Sequence, residues 1–277
     1  MYLEGINVVK LSAKQIALAS TFAALLIVVS RFKGFPIIGG QGSIQLTTLF
    51  YPLIGIILGP KLGFLTSLLG NLVSWILPST TVLGLLLVLP GALASFVSGA
   101  LTRRAGGIDW RASVLIMASL NLLWYVTPLG FEAPLYPVLH WAALGIMLIS
   151  RGRISEVLRE GSSKKITLAV VLSSFAATMA DHMSGNIIFI SALGLVIPLR
   201  TVEEALNTIG LIGVTLGIPS MSLIGLGRLF MAVLPISVIE RAIITTGSTI
   251  VSVSVIKVLS LNRFAIAINS LPSEETK

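Results

Sequence analysis

Apolar positions along the chain gather into long runs separated by short breaks that carry glycine, proline and charge. A bilayer core of about 30 Å takes roughly 20 residues of helix, with about 17 as the lower limit. On that template the pattern predicts spans near 14–31, 43–59, 61–77, 82–101, 111–129, 134–150, 165–196 and 235–259. Helix punctuation falls between them, at Gly34 and Pro36, Gly59 and Pro60, Pro78, Gly106 and Gly107, Pro128 and Gly130, and Gly161. The stretch from Glu203 to Leu234 is apolar enough to tempt a ninth crossing. It contains Pro219 and Arg228, and a long outer or re-entrant loop is the reading preferred here.

Composition agrees with the pattern. Of 277 residues 55% are apolar and 11% charged, and the mean hydropathy is +0.99, well outside the usual range of soluble domains. The expectation is an all-α polytopic membrane protein with one helical domain over 1–260 and a cytoplasmic tail over 261–277. Glu4, Lys10 and Lys14 precede the first apolar run and no small-residue cleavage pattern follows it, so the first helix is expected to be retained.

Charge sets the orientation. With the N-terminus inside, fourteen of the nineteen Lys and Arg fall on inner segments, among them Lys10, Lys61, Arg103, Arg104, Arg153 and Lys257. Arg31, Lys33 and Arg200 fall outside, and Arg228 and Arg241 lie near or within the membrane. That asymmetry predicts an even number of spans with both termini cytoplasmic. The excess of basic residues is spread over separate inner loops without interleaved aromatics, which fits anionic lipid and not nucleic acid. No cysteine is present, which removes disulfides and thiol chemistry, and two histidines do not make a dense metal centre.

Candidate chemistry sits where polar groups interrupt lipid-like runs. An ionised Asp at a helix centre costs about 2.5 to 3.5 kcal/mol on insertion scales, so Asp181 and its neighbour His182 demand compensation. Helical spacing puts Ser174, Thr178, Asp181, His182, Gly185 and Asn186 on one broad stripe. In the last span Ser237, Arg241, Thr245, Ser248 and Ser252 recur at three- and four-residue intervals beside Glu240, and an Asp181–Arg241 ion pair is expected. Asn71 and Trp75 share a helix face near the outer end of the third span, and Arg31 stands in the first outer loop. These residues are read as the walls of a cavity for a small polar solute.

The segment "SIQLTTLFYPLIGIILGPKLGFLTSLLGNLVSWILP", from Ser43, is similar to the second and third helices of the substrate-binding S components of energy-coupling factor (ECF) vitamin transporters. That family joins these helices by an L-G-P-[KR]-x-G turn. The first helix also resembles the family, with Ala19 and Ala23 at small-xxx-small spacing. The last span resembles the family's sixth helix, with Ser237 and Glu240 standing where the family has Asn and Lys in P-x-N-x-x-K.

The resemblance implies a six-helix bundle, here with an extra helical pair inserted over 104–164. It also implies a substrate-binding subunit that captures a small water-soluble vitamin or related micronutrient at the plasma membrane. Ala19 and Ala23 would dock a transmembrane coupling subunit, and paired ABC-type ATPases would supply energy in trans, since no phosphate-binding loop occurs here. No cofactor and no metal are expected.

Two rival readings stand beside it. Asp181 as a proton or cation carrier would suit a stand-alone secondary transporter. His182–Asn186 with Glu203 and Glu204 echoes the H-x-x-x-N and E-E-x-x-x-R elements of CAAX-processing membrane proteases, but in the wrong order and with Thr208 where Arg is required. An enzyme is therefore not expected.

Overall fold

The computed structural model describes residues 11–32, 34–36, 43–77, 81–103, 108–160, 162–197 and 223–261. They form α1 (Ala13–Val29), two short strands, β1 (Phe35–Pro36) and β2 (Ser43–Ile44), paired antiparallel, and a 3-10 turn (Leu46–Leu49). There follow α2 (Tyr51–Ile76), α3 (Val82–Leu86), α4 (Val88–Thr102), α5 (Trp110–Val126), α6 (Val138–Ser150), α7 (Arg153–Glu160), α8 (Ser163–Ala192) and α9 (Leu223–Leu261). α1 opens on a capping box in which Ser12 and Gln15 satisfy each other's backbone amides.

α2 reverses direction at its middle. Gly59 has φ 79° and ψ 179°, a conformation that suits glycine alone, and Pro60 begins the second leg. In a continuous helix residues 51 and 71 would stand about 30 Å apart, yet the Tyr51 hydroxyl lies 3.0 Å from Asn71 Oδ1. The two legs, 51–58 and 60–76, are antiparallel, as the Gly-Pro-Lys break predicts.

α4 lies against this hairpin at backbone distance. A Cβ on Gly55 would overlap the Ser95 carbonyl, and one on Gly99 would sit 2.6 Å from Pro60 N. Without water to drive helices together, small residues gain their attraction by close approach. Ser67 and Ser95 share a hydrogen bond of 2.6 Å, and the Ser95 hydroxyl is also 2.9 Å from the Tyr51 carbonyl.

α5, α6 and α8 form the second core around Met117, Trp124, Met147, Met179 and Met183. Residues 108–160 are thus built into the bundle, with the α5–α6 loop folded back over α8. The first core gathers Phe22, Leu26, Tyr51, Leu53, Ile54 and Ala177.

The surface is inverted relative to a soluble protein. Leu115, Leu122, Val126, Ile149, Ile239 and Ile250 are exposed, while Ser95, Ser98, Ser113, Ser173, Ser174, Ser248 and Ser252 are buried. Among the described residues four helical stretches are long and apolar enough to cross a membrane: Tyr51–Ile76, Val82–Thr102, Ser163–Ala192 and Leu234–Leu259. By length the first of these counts as one, but the reversal at Gly59 divides it.

Some predicted boundaries move. The segment expected at 43–59 begins as a strand and a 3-10 turn, and the helix expected from 134 begins at Val138. α9 begins at Leu223, not after the loop expected to run to Leu234, and carries Pro235 inside it. A membrane helix tolerates an internal proline where neighbouring helices satisfy the freed carbonyls. Residues 198–222, including Arg200, Glu203, Glu204 and Pro219, and the tail from 262 lie outside the described residues.

Candidate functional site

The α8 stripe meets a loop from the segment between α5 and α6. Tyr136, 4% exposed, brings its hydroxyl to 3.3 Å from His182 Nε2 and accepts a hydrogen bond from Asn186 Nδ2 at 3.3 Å. The loop is held by its own bonds: Trp124 Nε1 donates to the Ala133 carbonyl at 3.3 Å, and Tyr125 to the Pro134 carbonyl at 2.9 Å.

Aromatic rings surround the phenol. Trp124 stacks on Tyr136 with centroids 4.9 Å apart, and Phe230 of α9 meets Tyr136 edge-on at 4.9 Å. His140 of α6 stacks on His182 at 5.2 Å. These rings pack on one another where α5, α6, α8 and α9 meet, with the polar edges of Tyr136 and the histidines among them.

α9 supplies the charge. Glu240 and Arg241 are each 7% exposed, and Arg241 Nη2 lies 3.6 Å from Glu240 Oε2. The expected Asp181–Arg241 ion pair is not formed within 4 Å. The guanidinium instead turns to its sequence neighbour, while its charge still acts on Asp181, His182, His140 and Tyr136.

Asp181 and His182 are half-buried on the α8 stripe. A Cβ on Gly185 would meet no heavy atom within 4 Å. Arg241 Nε, His182 Nδ1, both His140 ring nitrogens and Glu132 Oε2 have no hydrogen-bond partner within the described chain. Each buried polar atom left in that state costs about 1–3 kcal/mol, and more where charge is involved. A solute that supplies the missing partners recovers that energy.

Asn71 reaches the cluster indirectly. Its Oδ1 accepts from Tyr51, its Nδ2 donates to the Val88 carbonyl at 3.2 Å, and Tyr51 in turn feels the charge of Asp181.

The outer residues do different work. Arg31 Nη2 donates to the Ser74 carbonyl at 2.7 Å, tying the end of α1 to α2. Trp75 Nε1 donates to the Thr81 carbonyl at 2.8 Å, tying the end of α2 to the start of α3. No contact joins either to Asp181, His182, Asn186, Glu240 or Arg241 among the described residues.

Ala19 and Ala23 are half-buried. The space over the Ala23 carbonyl is filled by Gly70, and the exposed small residues of α1 are Ala13, Ala17, Ser20, Thr21 and Ala24.

Tyr136, His140, Trp124 and Phe230 escaped the sequence reading. The available signal was Tyr136 and His140 four residues apart at a helix start, just after Glu132 in an otherwise apolar loop. Of the protease-like pattern, His182 and Asn186 both meet Tyr136, and Glu203 and Glu204 lie outside the described residues.

Comparison with known proteins places this arrangement. The chain is 32% identical over 186 residues to the uncharacterized protein MJ0923 of Methanocaldococcus jannaschii, a match that takes in 64% of this chain and 61% of that protein. No solved structure matches the chain. Residues 14–153 match the family described as the ECF transporter, substrate-specific component, a stretch that includes α1, the Gly59 hairpin, α4, α5 and α6 with Tyr136 and His140. By that match, which takes in half of the sequence, the chain belongs to the substrate-specific components of ECF transporters.

Proposed function

We propose that the protein captures a small water-soluble vitamin or related micronutrient in the space lined by Tyr136, His140, Asp181, His182, Asn186, Glu240 and Arg241. The observation that carries this reading is the set of buried, unpartnered polar atoms gathered around stacked aromatic rings in a substrate-binding family. Rings on two sides favour a planar solute. Arg241 and the histidines offer donors to its polar edge, and Asp181 and Glu240 offer acceptors.

The family implies a partner module with a transmembrane coupling subunit and ATPases. In our reading the chain sits in the plasma membrane with eight transverse segments and both ends cytoplasmic, α1 facing the coupling subunit. The exposed stripe of Ala17, Ser20, Thr21 and Ala24, flanking Ala19 and Ala23, allows close helix approach. Ala17→Trp on that stripe is expected to abolish uptake with solute binding intact.

The test is purification of the full chain from native membranes in mild detergent, with mass spectrometry of co-purifying proteins and small molecules. Recovery of a coupling subunit, ATPases and one bound solute supports the reading. A chain that carries solute but transports it alone, driven by an ion gradient in vesicles, overturns the partnership and leaves a secondary transporter.

A further inference from the structure

The end of the second half remote from Tyr136 carries a groove that the binding site does not use. It lies between α6, α7 and α8, has a volume of about 480 Å³, and is lined chiefly by apolar side chains including Ile149, Ile154, Val157 and Leu168. Ile149 is 79% and Leu168 57% exposed, so the open side of the groove continues the lipid-facing surfaces of their helices.

Cations close one end of it. Arg153 and Lys165 are part of the lining, both are exposed, and Arg151 and Lys164 lie within two residues of them in the sequence. Neither Arg153 nor Lys165 forms an ion pair with a described residue; α7 carries two acids, Glu156, exposed in its first turn, and Glu160 at its last position. The Ser162 side chain makes no capping bond at the start of the thirty-residue α8, so its first-turn amides point the same positive way.

The height of this end is marked independently. The turn joining α6 and α7, with Arg151 at φ 41° and Gly152 at φ 84°, rests on the Trp110 ring at the start of α5. Arg111 stands 5.7 Å from the same ring. A tryptophan and a belt of Lys and Arg at the ends of apolar helices place the mouth at headgroup level.

We propose that this groove holds one anionic membrane lipid, an acyl chain lying along Ile149 and Leu168 and its phosphate between Arg153 and Lys165. The chemistry selects it: the apolar lining suits a hydrocarbon tail, and the net positive mouth favours a headgroup with no compensating ammonium. A soluble anion would use the mouth and gain nothing from the groove. The inference needs the protein to be embedded in a membrane and is independent of which solute it binds.

The test uses the full chain in detergent, titrated with phosphatidylglycerol, phosphatidylcholine or inorganic phosphate. Native mass spectrometry follows retained lipid, and thermal unfolding follows protection. One phosphatidylglycerol should be retained at least ten-fold more tightly than phosphatidylcholine, and phosphate alone should give no protection.

Arg153→Gln with Lys165→Gln should cut retention about ten-fold while the lipid-free unfolding midpoint stays in place, since both side chains are exposed. Leu168→Trp, which fills the groove and keeps every charge, should also block retention. Equal retention of the two lipids, equal protection by phosphate, unchanged binding in both variants, or a second copy of the chain in place of the lipid would each overturn the proposal.

Discussion

The two halves of this bundle treat their polar groups in opposite ways. From α1 to α4 the polar side chains are bonded to backbone or to each other: Arg31 to Ser74, Trp75 to Thr81, Asn71 to Tyr51 and Val88, Ser67 to Ser95. Thr66 is the one residue of this half whose buried side-chain polar atom lacks a partner among the described residues. From α5 to α9 the partnerless atoms include those of Asn121, Glu132, His140, Ser174, Thr178, His182, Arg241 and Ser248. A half closed on itself is a scaffold. In our proposal, the half that leaves donors and acceptors open in its interior is the one that receives the solute.

The largest expected effect separates the halves by glycine. Gly55→Leu places a side chain where Ser95 and Ser98 already stand, an overlap that costs several times the roughly 1–3 kcal/mol of ordinary overpacking because backbone is in the way. The expected outcome is loss of the folded monomer on size exclusion. Gly185→Leu enters open space on the α8 stripe. It should leave the protein folded and reduce solute affinity by roughly 100-fold, about 2.7 kcal/mol. If Gly185→Leu unfolds the protein while Gly55→Leu does not, the division fails.

Charge gives the next effect. Arg241→Ala removes the guanidinium from the site together with its ion pair to Glu240. Binding is expected to fall by about 2–4 kcal/mol, a factor of roughly 30 to 1000, measured by calorimetry on the solute that co-purifies. Arg241→Lys keeps the charge and loses the planar fork, so it should recover part of the affinity. Full recovery would show that charge alone matters.

These residues also mark how far the sequence could be read. The Gly59 reversal was legible because Gly-Pro at a span boundary has one use there, and Asp181 and His182 were legible because their cost in lipid demands a reason. The partner of Arg241 was not. Pattern reasoning looked across to α8 for an opposite charge, since adjacent residues on a helix do not ordinarily face each other, and the structure turns the guanidinium to Glu240.

Tyr136 and His140 were hidden for another reason. An aromatic in a loop at the membrane boundary reads as an interfacial anchor, and only the folding of the α5–α6 loop over α8 brings its ring to His182 and Asn186. The same step brings the α5–α6 loop, which lies within the segment read from the sequence as an insertion, against α8.

A smaller effect tests that wall. Tyr136→Phe keeps the stacking on Trp124 and removes the hydroxyl shared by His182 and Asn186. The expected cost is about 1–2 kcal/mol in solute affinity, with little change in expression or unfolding midpoint. An unchanged affinity would move the solute toward Asp181 and Tyr51, away from the α5–α6 loop.

The smallest effect is the sharpest check on the comparison. Arg31 is exposed, and its guanidinium serves the Ile27 and Ser74 carbonyls at the C-terminal ends of α1 and α2. Arg31→Gln should therefore change stability by no more than about 0–1 kcal/mol and leave solute affinity within two-fold, near the resolution of a titration. The sequence alone put Arg31 in the binding set, so the outcome discriminates. A ten-fold loss of affinity with an unchanged unfolding midpoint would mean that the first half closes over the solute, and that its satisfied hydrogen bonds describe one state of a moving lid and not a fixed scaffold.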